Sequence, residues 1–155
     1  MIHSRHAVLA ALTTAGLLVA GCGGDDSSDK LSKADMAKQA DAICVKYNAK
    51  VKAISQPSDI ASFGPYLDKL LPVSDAQRAE LVKLQPEDGV KADWDALIKD
   101  YDEQVKGIRD ARAALKAGDE TEFQRIVEDT GTLGDASDKK LDAFGAPHCG
   151  SKSNA

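Results

Sequence analysis

The run VKADWDALIKDYDEQVKGIRDARAALKA, residues 90–117, decides the architecture of this chain. Trp94, Leu97, Tyr101, Val105, Ile108 and Leu115 return at three-, four- and seven-residue steps, the period of one buried helical stripe. Charged residues fill the other faces. Asp95/Lys99 and Asp102/Lys106 form i,i+4 pairs with the acid first, the better orientation. Gly118 supplies a stop, because glycine takes the left-handed conformation that ends helices without strain. Asp119 follows at once as a cap for the next helix. So short a connection sets the two helices side by side and antiparallel.

Working outward, residues 120–144 continue as a helix on Phe123, Ile126, Val127, Leu133, Leu141 and Phe144, ended by Gly145 and Pro147. Toward the N-terminus, Ser32 with Asp35 reads as a capping box. It opens a helix to Ile54 on Met36, Ala40, Ile43, Tyr47, Val51 and Ile54, with Cys44 at the edge of the stripe. Between them, residues 60–84 carry Phe63, Tyr66, Leu67, Leu70, Leu71, Leu81 and Leu84 but also two prolines. Pro65 fits a first turn, where a missing N–H costs nothing. Pro72 removes a hydrogen bond and kinks or ends the helix, and Ser74 with Gln77 offers a cap for a restart. No segment alternates with period two. These signals predict an all-α domain over residues 31–150: an antiparallel four-helix bundle with a kinked or broken second helix. Residues 151–155 read as a disordered tail.

The opening of the chain has a different character. Arg5 precedes the apolar run Ala7–Ala20, which as a helix reaches about 21 Å, short of the roughly 30 Å hydrocarbon slab. It therefore reads as a cleavable export leader. The small residues Ala20 and Gly21 before Cys22 resemble a bacterial lipoprotein signal. That resemblance implies removal of residues 1–21 and acylation of Cys22 as the new N-terminus, since two or three acyl chains hold where one does not. An ordinary secretory leader with Cys22 incidental is the competing reading. Residues 22–30, rich in Gly, Asp and Ser, read as a flexible tether. The expected location is the outer face of the cell membrane.

Loss of residues 1–21 takes away Arg5 and no acid, so the formal charge moves from −5 to −6. Nucleic acid is excluded as a partner, because phosphate attraction needs clustered Lys and Arg. The 134 remaining residues suffice for one modest core. Outside the cytoplasm Cys44 and Cys149 are expected to pair, joining the first helix to the C-terminal tail. A metal site at Cys149 with His148 is the alternative, but nothing nearby completes the four ligands zinc requires.

Catalytic signals are sparse. His148 is the one histidine after the leader, and it lacks a recognisable nucleophile partner. No phosphate loop, HExxH pair or EF-hand loop occurs. Asp88, Asp93 and Asp95 are the best metal-ligating candidates. A hard cation needs carboxylates converging from a loop, whereas these spread around a helix among Lys91, Lys99 and Lys106, as on a solvated face. Trp94 stacks on a ligand if exposed and anchors the core if buried. Gly131 and Gly134 mark either close helix approach or a ligand pocket. No cofactor is expected.

Ala40-Asp41-Ala42-Ile43-Cys44, Lys116-Ala117-Gly118-Asp119 and Leu141-Asp142-Ala143-Phe144-Gly145-Ala146-Pro147-His148-Cys149 together resemble small secreted helical lipoproteins of high-GC Gram-positive bacteria. The resemblance implies a helical bundle with one cystine, anchored by lipid at the membrane surface, and transfers no catalytic residue. The expected role is non-catalytic: a binding or structural module of the cell envelope engaging a protein or peptide, or alternatively a small-ligand or cation carrier.

Overall fold

The computed structural model describes residues 30–153. Cys22, the leader and nearly all of the tether therefore lie outside the described residues. Four helices follow one another: α1 (Lys33–Lys52), α2 (Ile60–Leu81), α3 (Asp88–Ala117) and α4 (Glu120–Phe144). No strand occurs among the described residues, and none of their helices is long and apolar enough to cross a membrane.

Local chemistry sets each boundary. Ser32 caps α1, its Oγ accepting from the Asp35 N–H. The side chain of Asp59 and that of Ser62 close a reciprocal capping box at the start of α2, satisfying two backbone donors that a helix start leaves open. Because that box begins the helix at Ile60, Pro65 stands at the sixth position and not in the first turn. α2 runs without interruption through both prolines, so Ser74 starts no second helix and is instead buried within this one. Asp119 caps α4 through the Glu122 N–H, and Gly118 and Gly145 end α3 and α4 at φ of 74° and 104°. Only glycine reaches those angles without strain.

Three boundaries differ from expectation, the first being the end of α1 at Lys52 in place of Ile54. The second helix stops at Leu81 and the third starts at Asp88, because residues 85–87 pair with the chain entering α1. Leu31 donates to the Gln85 carbonyl at 2.7 Å and accepts from the Glu87 N–H at 3.0 Å. Beyond α4, Lys152 N–H donates to the Pro147 carbonyl and Ser153 N–H to that of Gly150.

Side chains pack into two separate apolar clusters. One gathers Met36, Ala40, Leu81, Val90, Trp94, Leu97 and Phe144. The other holds Leu67, Ala111, Ala114, Phe123 and Ile126. Each large apolar side chain so buried contributes about 1.5–3 kcal/mol. α4 packs on α3, α3 on α2 and α2 on α1. Gly107 lies against α4, where a Cβ would collide with the Thr130 side chain, whereas a Cβ at Gly131 would meet nothing.

The C-terminal segment ties α1 to α4. Cys149 and Cys44 form a disulfide across 105 residues. Asp41 accepts from the His148 N–H at 2.7 Å and meets its Nδ1 at 2.8 Å, while Asn48 donates to the His148 carbonyl. On the other side, Gly150 lies against α4 so tightly that a Cβ would sit 2.6 Å from the Asp138 carbonyl oxygen. Two outcomes follow. Converting Cys44 and Cys149 together to Ser should lower the unfolding free energy in urea titration by about 2–5 kcal/mol, the range for a loop of this size. Gly150→Ala should lower the melting temperature while mass analysis still shows the cystine formed.

Candidate functional site

Each inward face changes character between the two apolar clusters. α3 passes from Leu97 through Tyr101, Gln104 and the buried Val105 to Ala111. α2 passes from Leu81 through Gln77 and Ser74 to Leu67. α4 passes from Phe144 through Ser137 to Ile126. The result is a polar waist inside an otherwise apolar interior. Burying such groups costs free energy unless they find hydrogen bonds.

Most of them do. The single Tyr101 O–H hydrogen is shared between two acceptors, the Ser74 carbonyl at 3.0 Å and Gln77 Oε1 at 3.2 Å. Gln77 Nε2 in turn reaches Cys44 Sγ at 3.2 Å. Burial pushes the Tyr101 phenol up to about 12, so it stays protonated and neutral at physiological pH. Ser137 is the exception. It is 2% exposed, and its Oγ has no hydrogen-bond partner among the described residues.

A cleft opens onto this waist. It measures about 300 Å³ and is lined by the end of α1, by α2 and α3, by Asp138 and Leu141 of α4 and by the C-terminal segment. Gln77, Tyr101, Gln104, Leu141 and Cys149 line both this cleft and a separate chamber of about 40 Å³ that reaches Trp94 and Ser137. Asp138 stands on the outer wall. Burial, then the neighbouring Asp142 and Asp135 carboxylates, raises its carboxyl above the usual range. Asp102, by contrast, is held below that range by its hydrogen bonds to Arg78.

The residues singled out from sequence distribute differently. Trp94 is 4% exposed and packs on Phe144 at 5.7 Å between ring centroids, so it anchors the core while also edging the inner chamber. Asp88 pairs with Lys30 and Asp95 with Lys91, while Asp93 is exposed. They do not converge, and among the described residues no group of three His, Cys, Asp or Glu could hold a metal ion. The expected ion pairs of α3 also shift. Asp95 turns back to Lys91, Lys106 meets Asp110, and Asp102 crosses to Arg78 on α2, because a bidentate guanidinium outcompetes a solvated lysine. Gly131 is exposed on a separate apolar groove of about 210 Å³ beside Phe123 and Val127, and Gly134 is half-buried beside Gln104. His148 is engaged by Asp41.

In the sequence Tyr101 reads only as one more stripe residue and Ser74 with Gln77 only as a cap for a helix restart, while Gln104 and Asp138 carry no signal of their own. The signal was their shared level in the helices: one turn of polar residues on α2, α3 and α4 at positions where the stripe calls for leucine. Comparison with known protein families, characterised proteins and solved structures returns no match.

The raised Asp138 carboxyl has a definite pH signature. A carboxyl whose folded pKa exceeds its unfolded value costs nothing while both states are protonated. The cost grows as the pH rises from the unfolded pKa to the folded one and is complete above it. Asp138→Asn should therefore melt at a higher temperature than the parent chain at pH 7. Thermal scans should show that advantage closing below about pH 4, near the unfolded value.

Proposed function

We propose that the chain is a lipid-anchored, extracytoplasmic binding module that performs no catalysis. The Cys44–Cys149 disulfide carries this reading, since such bonds form and persist outside the reducing cytoplasm. It accords with the export leader and with Cys22 at its end, and with the likeness to secreted helical lipoproteins of high-GC Gram-positive bacteria. The domain is an antiparallel bundle in this proposal. Asp68–Arg112 and Arg78–Asp102 between α2 and α3, and Asp100–Lys140 and Gly107–Thr130 between α3 and α4, run in opposite sequence directions, which supports that topology. Pro72 bends α2 within it, through the hydrogen bond its nitrogen cannot donate.

Non-catalytic binding fits the side chains. His148 is committed to holding the C-terminal segment on α1. The polar groups of the waist are neutral amides and hydroxyls, suited to recognition more than to proton transfer at neutral pH. Between the two kinds of occupant, the cleft favours a small molecule over a protein or peptide docked on a helix face, because its polar groups are recessed and converge.

The anchor is tested by intact-mass analysis of membrane-purified chain. A mature N-terminus at Cys22 bearing acyl chains is expected, and Cys22→Ala should move most of the protein from the membrane pellet to the soluble fraction. Residues 1–21 retained above an unmodified Cys22 would overturn the reading.

A further inference from the structure

We propose that the cleft of about 300 Å³ binds a small organic amine in its protonated form, with Asp138 as counter-charge, Tyr101 and Gln104 accepting from the ammonium, and an apolar body laid against Val51, Leu70 and Ile108. The proposal rests on the reading of the chain as a binding module and names the class of its ligand.

Charge decides the class. Lys52 and Asp138 both line the cleft, but they are not equivalent. Lys52 is exposed in the last turn of α1, where water and salt screen it. Asp138 is half-buried, and the charges that act on it are the acids Asp135 and Asp142. Among the described residues no cation pairs with it. A carboxylate drawn out of water without a partner is costly, and a bound cation offsets that cost. A bare metal ion is the poorer occupant, because no group of three His, Cys, Asp or Glu among the described residues could surround one.

Geometry supplies the remaining acceptors. Asp100–Lys140 and Gly107–Thr130 tie α3 to α4. Tyr101 and Gln104 on α3 and Asp138 on α4 fall between those ties, so they stand at one level of the domain. Tyr101 and Gln104, three residues apart, share a face of their helix. Gln104 makes no hydrogen bond among the described residues, so its amide oxygen is unspent. Tyr101 shares its one hydrogen between Ser74 and Gln77, which leaves its oxygen able to accept. A primary ammonium has three N–H donors and no acceptor. One carboxylate, one amide oxygen and one phenol oxygen match it.

Access and size agree. Tyr101, Gln104 and Asp138 are each half-buried, so a ligand entering from solvent meets them without crossing a sealed wall. The volume lies at the lower end of the range for small-molecule sites. It admits a single ring on a short arm and excludes a folded partner.

The probe is 2-phenylethylamine, compared with 2-phenylethanol, which keeps the ring without the charge, and with 3-phenylpropanoate, which reverses it. Each is titrated calorimetrically at pH 7 into the full chain, purified in neutral detergent with its cystine intact. The assay does not depend on whether Cys22 bears lipid, so failure of the anchor and failure of the site are distinguishable. Saturable binding of the amine is expected, with the alcohol and the carboxylate at least roughly 10-fold weaker. Asp138→Asn should weaken the amine roughly 10- to 100-fold, the loss of a hydrogen bond to a charged group. The same variant should melt higher than the parent chain, so the lost binding does not come from misfolding, and a purely structural Asp138 would not couple the two effects. Gln104→Leu should weaken the amine roughly 3- to 10-fold. Asp93→Asn, which removes an exposed acid away from the cleft, should change nothing. No saturable binding of the amine, equal affinity for the alcohol, or tighter binding of the carboxylate would each overturn the proposal. So would an unaltered affinity in Asp138→Asn, or an equal loss in Asp93→Asn, which would mark general attraction to an acidic chain.

Discussion

The attachment of the C-terminal segment to α1 is the constraint on which the rest of the molecule depends. α1 packs mainly on α2, and α4 mainly on α3. The segment 145–150 lies between these pairs and holds both. Its cystine and the Asp41–His148–Asn48 bonds fix it to α1, and Gly150 presses it on α4. The two anchorages differ in kind. The α1 side is a covalent bond and side-chain hydrogen bonds, whereas on the α4 side the segment continues from that helix and folds back on it at Gly150. Between them, with α2 packed directly on α3, lies a space lined by all of these elements.

That space is the polar waist. Apolar clusters above and below supply the stability, and the waist between them lowers it, most plainly at Ser137. Tyr101 mediates between the two demands. Its ring spans the apolar stripe of α3, while its hydroxyl joins α2 at Ser74 and Gln77. The hydrogen-bond chain continues from Gln77 to the cystine sulfur of Cys44. The covalent clamp and the cleft are therefore physically continuous, with Cys149 and Gln77 among the lining residues.

Much of this was legible in the sequence where one residue type has one physical meaning. Gly118-Asp119 can hardly be anything but a stop followed by a cap, and the stripe of α3 requires a helix. The pairing of Cys44 with Cys149 followed from having two thiols in an oxidising setting. Signals with two meanings were less decisive. Pro72 predicts a break only if nothing else sustains the helix; packing of Leu67 on one side and Leu81 on the other sustains it. The small residues Gly131 and Gly134 suggested close approach or a pocket, yet the glycine pressed on the partner helix is Gly107, because approach depends on both helices and not on one chain segment alone. The waist itself was hidden for a related reason. A single Gln or Ser on a stripe is unremarkable, and only the alignment of three helices brings them to one level.

The span of the disulfide has a consequence for a protein exposed to proteases. The connections at residues 53–59, 82–87 and 118–119 all lie between Cys44 and Cys149. A single peptide cut in any of them leaves two pieces that remain one covalent molecule, with the helices free to settle back against the same neighbours. Damage that would shed half of an unbridged chain becomes, here, a nick that leaves the fold and its cleft in place.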